Sequence, residues 1–250
     1  MYNELSNLVV EQTACPKCPS SDAFTIYDDG HCKCYSCGHF VPAGRVVRIN
    51  EAKPKDKYEV RLPRDSNTDL PAFALEWLNK YDITLQEARE HKFKWSEEKQ
   101  LLLFPIYGHD STLIFWQGRY FGTEKKSKYD SRGKKEDIIH IISPKEQDVE
   151  RTYDEVILTE DLLSAIKVGR QQAAMPIWGS YISIDQFKRL FLGFDRVGIW
   201  LDSDKFKEVI KYASIGSQIG LTRLLYTELD PKCLSDDQIK QILGDSSYGY

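Results

Sequence analysis

The sequence Ile199-Trp200-Leu201-Asp202-Ser203-Asp204 decides how the second half of the chain is interpreted. Val197 to Leu201 is a short apolar run with β-branched and aromatic members, which is typical of a central parallel strand. Asp202 and Asp204 follow at its carboxyl end, where open α/β sheets bind ligands. Two carboxylates in this place predict a site for a hard cation such as magnesium. The alternative is a solvated strand exit or a helix cap.

The same pattern of a strand followed by an acid occurs upstream. Val156 to Thr159 is apolar, Glu160 and Asp161 follow it, and the next residues have helical spacing. Strands are also predicted at 177–180 and 222–228, and helices at 185–192 and 206–219. Strands alternating with helices predict a parallel sheet with crossover helices, so the fold class is α/β in this part of the chain. One edge of the sheet would then carry four acids, Glu160, Asp202, Asp204 and Asp230.

This arrangement resembles the TOPRIM domain shared by DnaG-type primases, topoisomerases and some nucleases. The sequence from Ile157 to Glu160 is similar to that family's first motif, and Leu201 to Asp204 is similar to its second. One departure is that Asp161 follows Glu160 directly, whereas many primases have an Asp where Ser164 stands. The resemblance implies magnesium ions, two in number, held by Glu160, Asp202 and Asp204, with Asp230 orienting a metal or its water. It leaves open whether Glu160 is a ligand or a base.

Five of the six cysteines lie between residues 15 and 37. Cys15 and Cys18 form one Cys-x-x-Cys pair, and Cys34 and Cys37 form another after fifteen intervening residues, a spacing that predicts one tetrahedral structural zinc. Cys32 is out of register with the second pair, and we place it and His31 outside the metal shell. The alternative is a disulfide or a chance pattern.

Between the two cysteine pairs, the sequence predicts a strand at 24–27, a tight turn at 28–31 and a return strand. The turn and its flanks are expected to expose His31, Lys33 and Tyr35, groups that can stack on or hydrogen-bond to unpaired bases. The alternative is that the aromatic residues form the core of this small domain. The whole segment resembles the zinc-binding domain of phage primases, which implies that it selects the template triplet at which a primer starts, with His31 at a matching position. With Lys33 and Tyr35, His31 is expected to contact the template.

The middle of the chain has two short helical patterns within 69–92, with a capping box from Thr84 to Glu87, and then a hairpin at 101–107 and 113–120. Seven basic residues and two acidic ones lie between Arg119 and Lys135. A solvated loop would explain such a run. The order of these elements is similar to the amino-terminal half of a primase polymerase core, with a Gln-x-Arg and a Lys-Tyr motif. The resemblance covers Gln117, Arg119 and Lys128, and we expect catalytic roles for Arg119 and Lys128. Substrate binding is expected from Gln117, Lys126, Gly179 and Ser180.

Bulk properties set limits on the class of protein. The chain has 250 residues and a formal net charge of −4, so a nucleic-acid role must rest on local charge. No apolar run approaches the ~18–20 residues of a membrane span, and the N-terminus does not resemble a signal peptide. We therefore expect a cytoplasmic protein without a membrane partner, in the host cytoplasm if a phage encodes it.

The sequence predicts an α+β and α/β protein: a zinc ribbon at 1–44, a linker at 45–62, the N-terminal part of an RNA polymerase core at 63–150 and a TOPRIM catalytic domain at 151–250. The predicted function is a DNA primase that acts on single-stranded DNA and ribonucleoside triphosphates. No Walker-type phosphate loop occurs, so a separate helicase, or an excised fragment, is expected, together with a DNA polymerase partner. A RecR-like recombination mediator and a TOPRIM nuclease are the alternatives.

Overall fold

The chain divides into two compact units, Met1–Glu59 and Val60–Tyr250. A computed structural model describes residues 9–42, 59–124, 127–144 and 154–244. Most of the predicted linker at 45–62 lies outside these ranges. Within them, no helix has both the length and the apolar character needed to cross a bilayer.

The first unit is a four-stranded antiparallel sheet in the order β1-β2-β3-β4. Its core contains Phe24, three of the cysteines and Val41. The turn between the central strands is confirmed, and Gly30 at its tip has a φ of 84°, a conformation that favours glycine. The strands are β1 (Val9–Thr13), β2 (Phe24–Tyr27), β3 (Cys32–Cys34) and β4 (Phe40–Val41).

The second unit begins with two helices and an antiparallel sheet. Thr84 and Glu87 form the predicted capping box, in which each side chain accepts a hydrogen bond from the other residue's backbone N–H. The hairpin is confirmed, and one further strand lies within the basic segment. The elements are α1 (Ala72–Asn79), α2 (Leu85–Glu90), β5 (Lys94–Ser96), β6 (Leu101–Tyr107), β7 (Leu113–Tyr120) and β8 (Tyr129–Gly133), with the strands in sequential order.

A parallel sheet with crossover helices follows, as predicted, in the strand order β10-β9-β11-β12. Its third predicted strand lies earlier than 177–180, because Trp178 and Gly179 have φ values of 57° and 130° and form a turn instead. The elements are β9 (Glu155–Thr159), α3 (Leu162–Gly169), β10 (Ala174–Pro176), α4 (Ile184–Leu190), β11 (Arg196–Ile199), α5 (Phe206–Gly216), β12 (Leu221–Leu224) and α6 (Asp236–Gly244).

Alternation along the central strand β9 separates two cores. Ile157 belongs to a core that also contains Phe104 and Phe115 of the antiparallel sheet. Val156 and Leu158 point to the opposite face and pack with residues of α4 and α5. All five residues of β9 are buried, which is typical of a parallel strand covered on both faces.

Helix α3 is buried along its whole length and ends in cations that contact three neighbouring segments. Arg170 makes two hydrogen bonds to Glu87, of 2.8 and 2.9 Å, and its Nη1 lies 3.0 Å from Asp82 and 2.9 Å from Asp236. Lys167, with a 2% exposed side chain, adds a 3.1 Å ion pair to Asp82. Asp82 precedes α2, Glu87 lies within it, and Asp236 begins α6. These ion pairs therefore connect the helices before the antiparallel sheet with those of the parallel sheet.

We predict that Arg170→Met lowers the free energy of unfolding by about 3 kcal/mol, because Glu87 would be left largely buried without its partner. The matched control is Arg189→Met on the exposed side of α4, where the effect should stay within about 0.5 kcal/mol. Chemical denaturation of both variants measures the difference. Equal stabilities would show that the Arg170 ion pairs contribute nothing.

Candidate active site and metal centre

Four cysteines of the first unit bring their sulfur atoms together as the spacing predicts. The Sγ atoms of Cys15, Cys18, Cys34 and Cys37 all lie within 4.8 Å of one another. Cys15 to Cys37 and Cys18 to Cys34 are both 3.7 Å apart, close to the edge of about 3.8 Å expected for a tetrahedron with Zn–S bonds of about 2.3 Å. The backbone N–H of Lys17 donates to Cys15 Sγ at 3.3 Å, as suits a thiolate. These residues fit one structural zinc.

Cys32 and His31 lie outside this cluster, in agreement with the sequence. Cys32 is buried and its thiol donates to the carbonyl of Gly30. The expectation that His31 is exposed is wrong: its ring stacks on Tyr27 at 4.1 Å and its Nδ1 lies 2.5 Å from Asp29, which leaves it 7% exposed. The turn folds the histidine inward because both partners lie within four residues of it. Its predicted contact with the template stays a prediction.

The other two residues predicted to contact the template lie on the surface. Tyr35 is 63% exposed, and Lys33 Nζ lies 5.1 Å from the centre of its ring. The Tyr35 hydroxyl hydrogen-bonds to that of Tyr27 at 2.5 Å, which fixes the orientation of the exposed ring. A fixed aromatic face beside a lysine is the kind of surface on which an unpaired base can stack.

In the second unit, acids from three segments meet at the carboxyl edge of the parallel sheet. Glu160 follows β9, Asp202 follows β11, and both line one pocket together with Asp161, which caps α3 by accepting a hydrogen bond from the backbone N–H of Ser164 at 2.8 Å. Asp230 follows β12 and accepts from the backbone N–H of Ser203 at 3.0 Å. It therefore holds the turn that carries Asp202 and Asp204.

Lys232 joins three of these acids, a role that we did not predict from the sequence. Its Nζ lies 2.7 Å from Asp161, 2.5 Å from Asp202 and 3.1 Å from Asp230. The residue follows Asp230-Pro231, a dipeptide that indicates only a turn, so no local signal identifies it. A search for cations near the ends of the acid-bearing strands would have found it.

Cations and aromatic rings of the antiparallel sheet, together with Trp77 of α1, form the facing wall. The guanidinium of Arg119 lies 5.5 Å from the ring centres of both Trp77 and Tyr129 and 5.9 Å from that of Phe121. Its Nε and Nη1 are buried and have no hydrogen-bond partner among the described residues. Stacking therefore sets the position of Arg119. Gln117 and Lys128 line the same pocket.

The charges of the site change the pKa values of its acids. Burial raises the pKa of Glu160, and burial together with repulsion from Asp161 raises that of Asp202 to about 7. Burial acts in the same direction on Asp230, but a hydrogen bond from Ser203 and the charge of Lys232 lower its pKa overall. Burial opposes the charge of Lys232, yet Asp161 and Asp202 raise its pKa. The carboxylates of Asp161, Asp202 and Asp230 thus share the ammonium of Lys232. The repulsion that this single charge does not offset contributes to the raised pKa of Asp202.

Two oxygens of the site are suited to a metal ion. Glu160 Oε2 and Asp202 Oδ1 are buried and have no hydrogen-bond partner in the described part of the chain. Buried carboxylate oxygens normally have partners, and a hard cation such as magnesium is bound by oxygens of this kind. Among the described residues, however, only the four cysteines gather three or more ligand atoms within 4.8 Å.

The remaining predicted residues occupy different places. The side chain of Asp204 is 71% exposed and pairs with Lys205 at 2.7 Å, outside the pocket lining. Gly179 lines the pocket, and its N–H donates to the carbonyl of Glu160 at 2.9 Å. The carbonyl of Ser180 accepts from the hydroxyl of Tyr212, and Lys126 lies outside the described residues.

Known proteins resemble the chain in structure. No family model matches the sequence, and no curated protein matches it. The zinc-binding and RNA polymerase domains of the Aquifex aeolicus primase match with a TM-score of 0.52 at 13% identity, over 93% of this chain and 77% of that one. The primase fragment of the bacteriophage T7 primase-helicase matches with a TM-score of 0.48 at 13% identity, over 94% and 98%. The chain therefore shares the fold of the zinc-binding and RNA polymerase domains of that primase.

We predict that Cys34→Ser loses the zinc and that Cys32→Ser keeps it at one ion per chain, because only the former sulfur lies in the cluster. Metal analysis of the purified variants measures this. Cys32→Ser is also the matched control, since it removes a buried thiol two residues from the ligand Cys34. Loss of zinc in Cys32→Ser and its retention in Cys34→Ser would show that the ligand register is wrong.

Proposed function

We propose that the protein is a DNA primase that synthesises short RNA primers on single-stranded DNA. The observation that supports this most directly is the pocket that combines Glu160 and Asp202 with Arg119 and Lys128. Acids on one wall and cations on the other suit the transfer of a nucleotide from a triphosphate. The primase fold agrees with this proposal.

Glu160, Asp202 and Asp204 are the residues that would hold magnesium. Magnesium in such a place lowers the pKa of a ribonucleotide 3′-hydroxyl and neutralises charge on the incoming triphosphate. Asp230 holds the backbone of the turn that carries Asp202 and Asp204 in place, through Ser203. Glu160, whose pKa burial raises, could instead accept the hydroxyl proton.

The facing wall would bind the triphosphate. Arg119 is oriented by three aromatic rings before any ligand arrives, so that little side-chain entropy is lost on binding. Lys128 adds a second positive charge and Gln117 a neutral amide. Gly179, Ser180 and Lys126 would make further contacts with the substrate.

The zinc ribbon would read the template. Lys33 and Tyr35 offer a cation and an exposed ring side by side, and the buried His31 stabilises the turn that precedes them. Phosphate contacts position a nucleic acid, whereas contacts to the bases specify a sequence. A replicative helicase and a DNA polymerase are the partners that this function requires, and the site of action would be the cytoplasm.

One assay distinguishes this function from its rivals. The protein is incubated with single-stranded DNA, labelled ribonucleotides and magnesium, and the products are separated by size. A primase yields short RNA, a TOPRIM nuclease cleaves the DNA strand, and a RecR-like mediator binds without either product. Strand cleavage or binding alone would overturn the proposal.

We predict that Asp202→Asn lowers RNA synthesis more than about 100-fold without unfolding the protein. The folded pKa of Asp202 is about 7 and thus higher than its ordinary value, so ionisation of the carboxyl destabilises the metal-free fold as the pH rises towards 7. The variant should therefore be the more stable protein above pH 7, by on the order of 1 kcal/mol, and the difference should vanish towards pH 4.

Activity assays and thermal melts across this pH range test both statements. Asp195→Asn, an exposed position at the opposite end of β11, is the matched control and should change neither property. Wild-type activity in Asp202→Asn would remove this residue from the metal site.

We predict that a chain beginning at Glu59 extends a supplied dinucleotide but fails to start primers on bare template. The second unit contains every proposed ligand of magnesium and phosphate, and the cut retains Val60 and Leu62, which pack on the cluster that contains Trp116. The defect should persist at low salt, where general attraction to phosphates is strongest. If the shortened chain starts primers at the same sites and with the same yield, the ribbon is only a structural cap.

A further inference from the structure

Lys232 holds a position that its chain geometry fixes. Pro231 is buried at the start of a short helical turn at 231–233, and the N–H of Cys233 donates to the carbonyl of Asp230 at 2.8 Å. The proline ring restricts the backbone ahead of the lysine. The side chain of Lys232 is 12% exposed, so its ammonium is directed into the site and is not a solvated surface charge.

The ammonium contacts three aspartates: it donates hydrogen bonds to Asp161 and Asp202 and forms an ion pair with Asp230. Asp161, Asp202 and Asp230 each direct Oδ2 at Nζ, at 2.7, 2.5 and 3.1 Å. These aspartates come from the start of α3, the end of β11 and the segment after β12. Two of the three N–H groups of the ammonium are thus used in hydrogen bonds, and the third aspartate lies within ion-pair distance.

The other oxygens of the same aspartates have partners with one exception. Asp161 Oδ1 accepts from the N–H of Ser164, and Asp230 Oδ1 accepts from the N–H of Ser203. Asp202 Oδ1 has no partner in the described ranges, and the same holds for Glu160 Oε2. The oxygens open to a metal ion therefore lie on Glu160 and one side of Asp202, while the space between the three aspartates contains the lysine.

We propose that Lys232 is a built-in cation of the centre, which takes the place of a second divalent ion between Asp161, Asp202 and Asp230. The centre then binds one exchangeable divalent cation, at Glu160, Asp202 and Asp204, where the family resemblance implies two. This inference rests on the proposed function for the role of these acids as metal ligands. Lys232 is a positioning residue, since it acts through the carboxylates.

The experiment counts Mn²⁺ ions bound to the zinc-loaded full chain, from the electron paramagnetic resonance signal of the free ion during a titration. We expect one ion for the wild type and two for Lys232→Met, which keeps a long side chain but frees three carboxylate oxygens. Lys232→Arg retains the positive charge and should bind one ion. Lys128→Met is the matched control: it removes one positive charge from the same pocket, at a residue that contacts the ring of Tyr129, and should also bind one.

Two results would overturn the inference: two ions on the wild type, or one ion on Lys232→Met. If Lys232→Met does not fold in metal-free buffer, the wild-type count alone still decides between one ion and two. RNA synthesis by the wild type is measured separately. Suppose that the wild type binds one ion, that Lys232→Met binds two, and that the wild type makes no RNA. This result would contradict the primase function and leave the inference standing. RNA synthesis by a wild type that binds two ions would support the primase function and overturn the inference.

Discussion

Strands β9 and β11 lie side by side and parallel at the centre of their sheet, with Leu158 opposite Ile199. Parallel neighbours end at the same edge, so this pairing brings Glu160 and Asp202 together. Two like charges repel by about 4 kcal/mol at 4 Å near a protein surface. The edge is therefore stable only with positive charge beside it. Lys232 supplies that charge from within the site, and the wall that carries Arg119 faces it.

Much of this fold could be predicted because local signals agreed with tertiary demands. The capping box at Thr84, the hairpin and the acids after apolar strands all depend on residues close in sequence. Predictions failed where contacts with other segments of the chain determine the structure. Strand β8 lies in a lysine-rich segment that reads as a solvated loop, and it forms because β7 offers an edge to pair with.

Of the predicted acids, Glu160 and Asp202 line the pocket and Asp204 does not, whereas the cation Lys232 was not predicted at all. A carboxylate at a strand end is fixed by the strand, whereas a lysine reaches its partners through a long side chain. The contacts of Lys232 span up to 71 residues of sequence, so no short pattern reveals them. His31 shows the opposite case. Its neighbours Asp29 and Tyr27 are local, but only the geometry of the turn shows that they bury it.

The register of the β6–β7 hairpin links folding to chemistry. Phe115, Gln117 and Arg119 share one face of β7, where Phe115 joins the main core and the other two line the pocket. Trp116 lies on the opposite face, against Leu101 and Leu103. Neighbouring strand residues alternate between faces, so inserting or deleting one residue within β7 would exchange the two sets. The strand would remain apolar enough to pair, yet Arg119 would point away from the acids. Length changes in this hairpin should consequently be far rarer among functional relatives than substitutions of the apolar residues on its outer face.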